Sequence, residues 1–183
     1  MFLVSCAPRI LTRGPRHEFV RPTMLEKLEL LLLIVAANGV PVLLDNVLDR
    51  SWAWPLDGGL RLTDGRRLLG RSATLRGLAG ALIATPCIAL LLGFSAYTGF
   101  LIGLFAMIGD ALSCFVKRRF GLEPGDRAIG LDQVPESLLP LLAVMEAQGL
   151  GWVDLVLLVL AFTLFSLVVS RILFRLKLRK RPH

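Results

Sequence analysis

Five apolar runs divide the chain, at residues 28–44, 77–94, 96–115, 138–150 and 152–174. A helix needs about 20 predominantly apolar residues to cross the hydrocarbon of a bilayer. The first run, just long enough to span, is interrupted by Asn38, Gly39 and Pro41, and the second by Pro86. The fourth is short and carries Glu146 and Gln148, whereas the last is unbroken. Only the turn around Ser95 separates the second run from the third, which makes those two antiparallel neighbours. The pattern predicts an all-α integral membrane protein with about five transmembrane helices.

Lysine and arginine fall in the gaps between these runs. Arg50, Arg61, Arg66, Arg67, Arg71 and Arg76 lie between the first and second, Lys117, Arg118, Arg119 and Arg127 follow the third, and Arg171, Arg175, Lys177, Arg179, Lys180 and Arg181 end the chain. The alternate loops, 93–98 and 146–154, contain neither residue. Basic loops stay on the cytoplasmic side, so five crossings place all three basic segments and the C-terminus inside and the N-terminus outside. The leader opposes this orientation with Arg9, Arg13, Arg16 and Arg21, and its apolar start, 1–7, is short for a signal-peptide core. A true start at Met24 reconciles the two.

Composition agrees with a membrane protein: 55% of residues are hydrophobic and only 19% charged, against about a quarter charged in soluble domains. The net charge of +7 does not point to nucleic acid, because the basic residues follow topology instead of forming a patch with interleaved aromatics. Cys6, Cys87 and Cys114 are odd in number, with no close pair, which argues against a disulfide framework or a zinc site. The only histidines, His17 and His183, lie in the tails, so the body holds no histidine base, triad or metal site. No Walker-type G-x-x-x-x-G-K-S/T run is present either.

The polar residues that remain are concentrated. After the first run come Pro55-Leu56-Asp57-Gly58-Gly59 and Asp64-Gly65-Arg66-Arg67 with Gly70, and the second opens at Thr74-Leu75-Arg76-Gly77. Glycines flanked by arginines suit phosphate, since bare backbone N–H groups and guanidinium forks both match its oxygens. A loop obeying only the positive-inside rule would have a similar composition. The third run ends with Gly109, Asp110, Ser113, Lys117, Arg118 and Arg119. Asp110, Ser113 and Lys117 share one helical face, and a carboxylate near the end of an apolar span needs a partner. Asp132 and Gln133 begin the next segment, and antiparallel packing would return Asp132 to the depth of Asp110. Two carboxylates beside many arginines are what a magnesium nucleotide site requires.

These residues, from Asn38-Gly39-Val40-Pro41 through Gly121, Gly125 and Asp132-Gln133, resemble the CDP-archaeol synthase family, a distant relative of the bacterial CDP-diacylglycerol synthases. The resemblance spans roughly residues 35–135. It implies a five-helix membrane cytidylyltransferase that uses CTP and Mg2+ to turn a lipid phosphate into a CDP-activated lipid, releasing pyrophosphate. By resemblance Asp110 and Asp132 hold metal, and Lys117 joins them as catalytic. Asn38, Asp57, Gly58, Gly59, Asp64, Arg66, Arg67, Thr74, Arg76, Ser113, Arg118, Arg119 and Gln133 then bind substrate. The family usually has Lys-Thr where this chain has Ala73-Thr74. Loss of that ammonium would remove a bond worth about 1.5–3 kcal/mol, with Arg71 a neighbouring substitute.

The expected organisation is an N-terminal extension, 1–23, followed by one membrane-embedded catalytic domain, 24–183, in the inner (plasma) membrane. The competing readings are an inactive relative, or a small transporter or scaffold using Gly99-x-x-x-Gly103 for helix packing. Against a transporter, there is no internal repeat and the charged motifs sit at one membrane face. The acceptor lipid and the oligomeric state, a homodimer included, stay open at this level.

Overall fold

The computed structural model describes residues 21–48, 53–70, 72–122 and 130–175, with side chains to 172. The leader to residue 20, Arg50, Arg71, Gly125, Arg127 and the tail beyond 175 lie outside the described residues. Five helices follow in order: α1 (Met24–Val47), α2 (Leu75–Leu91), α3 (Ala96–Arg119), α4 (Gln133–Val144) and α5 (Trp152–Arg175). Within the described residues α1, α3 and α5 are long and apolar enough to cross a membrane, while α2 and α4 are shorter. Large apolar side chains such as Leu32, Ile83, Leu91, Val153 and Leu164 face outward. Lipid, not water, is the solvent that tolerates such a surface.

Local sequence sets the helix ends. Thr23 caps α1 in a full capping box with Glu26, and Thr74 and Ser95 cap α2 and α3 by accepting from Gly77 and Thr98. The fourth helix departs from the apolar run: it begins at Gln133 and stops at Val144 instead of covering 138–150. The early start carries polar residues that face inward, because Ser137 Oγ donates to the Gln133 carbonyl at 2.8 Å and Gln133 Oε1 accepts from Gly130 N at 2.8 Å. Hydropathy misses polar groups satisfied in this way. At the other end the chain turns over residues 145–149, with Gly149 at φ +64° and Leu150 N bonded to the Met145 carbonyl, so Glu146 and Gln148 sit in that turn. Twelve residues of α4 give only about 18 Å of rise.

The ends of the helices alternate. At one end the Lys27 ammonium lies 2.7 Å from Asp154, tying α1 to α5, and Gln148 donates to Thr98 at 3.4 Å. At the other end Arg76 of α2 pairs with Asp45 of α1, and Lys117 of α3 pairs with Asp132 before α4. Between the ends, Leu30, Leu33, Ile34, Ile102, Leu141 and Phe162 form the apolar core.

α3 is the central helix, and glycine lets its neighbours approach. A Cβ on Gly99 would lie 2.6 Å from Pro86 Cα, and one on Gly103 would lie 3.0 Å from the Ala81 carbonyl oxygen. The Gly99-x-x-x-Gly103 motif is therefore used inside the chain, against α2. A Cβ on Gly109 would lie 2.4 Å from the Pro135 carbonyl oxygen, so α4 approaches α3 closely here.

The 53–74 segment folds back on itself at two isolated antiparallel bridges, Pro55 to Thr74 and Arg61 to Arg67. Asp57 holds it together. Its Oδ1 accepts from Gly59 N at 2.9 Å, and its Oδ2 from Leu69 N and Gly70 N, each at 3.1 Å. Burial tends to raise this carboxyl, but those three N–H groups and the charge of Arg67 outweigh it and hold it below the ordinary value of 3.8.

Two outcomes follow for stability. Gly109→Ala should force α3 and α4 apart and cost about 1–3 kcal/mol of stability in detergent, seen as a lower melting temperature. Gly39→Ala, whose Cβ meets nothing within 4 Å, should be neutral or stabilising by up to about 1 kcal/mol. Equal losses would refute the close-approach account. Asp57→Asn should cost about 1–3 kcal/mol, because an amide oxygen cannot replace both carboxylate oxygens. With a folded pKa below its unfolded one, Asp57 lends its stability fully above the ordinary value of 3.8 and loses it as pH falls through the folded value. Acid melting curves of Asp57→Asn should accordingly be flatter than wild type across that window.

Candidate active site

The basic loop docks on the C-terminal end of α3. Helix ends leave carbonyls without partners, and cations satisfy them best. Arg66 Nη1 donates to the Arg119 carbonyl at 2.8 Å and to the Arg118 carbonyl at 3.3 Å. In return Arg119 Nη2 donates to the Arg67 carbonyl at 2.8 Å, its Nη1 pairs with Asp64, and its guanidinium stacks 5.3 Å from the Phe115 ring centroid. Asp64 also accepts from Arg66 N at 3.0 Å; that bond comes first in holding its carboxyl below the ordinary value, and Arg119 adds to it.

This divides the residues singled out in the sequence. Arg66, Arg119 and Asp64 lock the loop to α3, and Asp57 shapes the loop from within. Arg118 is 6% exposed, donates to the Leu122 carbonyl through Nη1, and leaves Nε without a hydrogen-bond partner beside Gly70. Gly70 has φ +96°, and a Cβ there would come within 3.3 Å of that Nε, so a side chain would push the guanidinium away. Gly58 and Gly59, at φ +56° and +85°, turn the backbone beside the Arg67 guanidinium. Arg67 alone of the described loop arginines makes no side-chain hydrogen bond or ion pair, which leaves its fork available to an anion.

Other expected residues look inward. Asn38 Nδ2 donates to the Ile34 carbonyl at 2.9 Å, one turn back on its own helix. Thr74 is the buried cap of α2, and Gln133 is the buried partner of Gly130. Ser113 is 1% exposed and directs its hydroxyl to the carbonyls of Gly109, at 2.9 Å, and Leu131, at 2.8 Å, fastening α3 to the segment that carries Asp132.

Asp110, Lys117 and Asp132 come together. Lys117 Nζ lies 2.8 Å from Asp132 Oδ1, and Asp110 is within Coulomb reach of both and of Asp45. At 2.8 Å the two charges are paired directly, with the buried Oδ1 against the ammonium. Asp132 stands at the N-cap position of α4 but has φ −79°, ψ −52° and makes no cap bond. Aspartate is among the best capping residues, so its carboxylate has been diverted to Lys117. Among the described residues no group of three or more His, Cys, Asp or Glu side chains could by itself hold a metal ion. Asp110 also forms one wall of a small open cleft, shared with Pro41, Leu56, Ser72, Ala73, Thr74 and Met107. Ala73 thus lines the same cleft as Asp110.

Asp45 escaped the sequence reading. It follows an apolar run and looks like an ordinary helix end. Its pairing with Arg76, thirty-one residues away, leaves no local signal.

The family model for CarS-like CDP-archaeol synthase matches residues 23–183. A CDP-archaeol synthase of Methanopyrus kandleri is 40% identical over 137 residues, covering 70% of this chain and 79% of that one. Another, of Thermofilum pendens, is 37% identical over 103 residues, covering 54% of this chain and 50% of that one. A solved structure described as an intramembrane enzyme for archaeal membrane lipids biosynthesis superposes with a TM-score of 0.70 at 32% identity, covering 82% of this chain and 96% of that one. A match across nearly all of residues 23–183, with the same fold, means that the chain belongs to the CDP-archaeol synthase family.

Proposed function

We infer that the chain is a membrane-embedded, CTP-dependent cytidylyltransferase that transfers CMP from CTP to a lipid phosphate, giving a CDP-activated lipid and pyrophosphate. The observation that carries this reading is the meeting of Asp110, Lys117 and Asp132 beside an ordered arginine-rich loop at one end of an apolar bundle. A lipid headgroup at the membrane surface reaches such a site while its chains stay in hydrocarbon. The names of the relatives support an archaeol phosphate as acceptor.

A non-bridging oxygen of the lipid phosphate attacks the α-phosphorus of CTP, a new P–O bond forms, and the bond from the α-phosphorus to the bridging oxygen breaks as pyrophosphate leaves. The nucleophile is already ionised near neutral pH, so no strong base is needed, consistent with a body free of histidine. Catalysis is then alignment and charge neutralisation. Arg67 beside Gly59 would hold phosphate oxygens through its guanidinium, and Lys117 and the Nε of buried Arg118 add positive charge at the α3 end.

The donor set fits magnesium. Asp110 and Asp132 offer hard oxygens, with the Lys117 ammonium standing against Asp132 Oδ1 until a metal ion would take its place. With only two carboxylates, the remaining ligands would be phosphate oxygens and water, as magnesium prefers. When bound, the ion would supply charge neutralisation on the triphosphate. The same basic loops favour a cytoplasmic site on the plasma membrane, with five crossings.

Purified protein given CTP, magnesium and a panel of lipid phosphates should make labelled CTP lipid-extractable, with an archaeol phosphate preferred. Asp110→Asn and Asp132→Asn should each lower the rate more than about tenfold, a barrier change of about 1.4 kcal/mol, and the double variant should be little worse than either. Equal use of ATP, or a near-normal rate in Asp110→Asn, would refute the assignment. For topology, a cysteine placed in 93–98 should label from outside intact cells and one in 57–67 should not; the reverse result inverts the orientation.

A further inference from the structure

Lys117 is paired with one of the two carboxylates that would hold a metal ion, and its charge reaches the other. Its ammonium is 2.8 Å from Asp132 Oδ1, the two side chains are 12% and 18% exposed, and Asp110 lies within Coulomb reach of both. The neighbouring cations face elsewhere: Arg118 toward the Leu122 carbonyl and Gly70, Arg119 toward Asp64 and the Arg67 carbonyl, and Arg76 toward Asp45. Among the described residues, Lys117 is the cation paired with Asp132. Because Asp132 forgoes its cap bond, the direction of its carboxylate depends on this partner.

We propose that Lys117 is the resident counter-cation of the Asp110 and Asp132 pair, so that a divalent ion enters together with CTP and not before it. This rests on the reading of those two carboxylates as the metal-binding pair. Two carboxylates at the membrane edge repel each other, and an ammonium beside them relieves the repulsion while the site waits. A divalent ion arriving alone would have to break the Lys117 to Asp132 pair and then sit next to the displaced ammonium, with nothing to receive that charge. A nucleotide arriving with the ion would change the balance, because its phosphate oxygens would receive Lys117 while Asp110 and Asp132 would hold the ion. One lysine thereby serves two successive anions, a carboxylate before binding and a phosphate after it. An empty site would also be shielded from stray divalent cations.

The test measures Mn2+ binding to the full chain in detergent by the loss of its free paramagnetic signal, without nucleotide. Retention of labelled CTP with and without Mn2+ is measured alongside. Wild type should bind Mn2+ weakly alone and retain CTP only when Mn2+ is present. Lys117→Met should bind Mn2+ without nucleotide at least about tenfold more tightly, since a like charge beside the ion is gone, and should retain CTP less well. Lys117→Arg, which keeps the charge, should resemble wild type in Mn2+ binding. Adding Asp132→Asn to Lys117→Met should abolish the gain, and melting temperatures establish that each variant is folded. Unchanged or weaker Mn2+ binding by folded Lys117→Met, with Mn2+-dependent CTP retention intact in wild type, would overturn the counter-cation role alone. A wild type that retains CTP equally well without Mn2+ would overturn the metal reading and this proposal with it.

Discussion

The last three turns of α3 carry Asp110, Lys117, Arg118 and Arg119 to one end of the apolar bundle, and charge at such a depth persists only with a partner. The three cations find theirs in different places. Asp132 meets Lys117, the 53–74 loop meets Arg119 through Asp64 and the Arg67 carbonyl, and the Leu122 carbonyl meets Arg118. Asp110 faces the cleft and the field of Lys117. The need to satisfy one helix end thereby draws the loop, α4 and the cleft into a single site.

Close packing makes that convergence stable. Gly99 and Gly103 admit α2 against α3, and Gly109 admits α4, so the helices bearing the site approach until backbone meets backbone. Ser113 adds a polar fastening at the same height, from α3 to the Leu131 carbonyl. Gly109 and Ser113 lie within one turn of Asp110. A small change in helix separation there would be felt at the carboxylates.

Many of the basic residues have structural duties that precede any substrate. Arg66 and Arg119 exchange bonds with each other's backbone neighbourhood, and the buried carboxylate of Asp57 gathers three loop N–H groups. A rigid loop is what phosphate recognition demands, since ordering a floppy one would consume binding energy. Arg67, beside Gly59 and without a side-chain hydrogen bond of its own, lends its charge to Asp57 and can then act on a loop already in shape.

The sequence alone determined the membrane class, the helix order and the gathering of charge at one end, because apolar runs and basic gaps are properties of composition along the chain. It also marked Asp110, Lys117 and Asp132, since ionisable groups at the ends of apolar runs are conspicuous. Only the tertiary structure decided which of the marked residues face an anion and which hold the fold. Arg66 and Arg67 are adjacent and chemically identical, yet one is bonded to helix carbonyls and the other is not. The start of α4 at Gln133 and the role of Asp45 were likewise invisible, because Ser137 and Arg76 satisfy them through contacts that hydropathy does not register. A side chain's partner depends on where the backbone of another segment passes, and that is settled by packing.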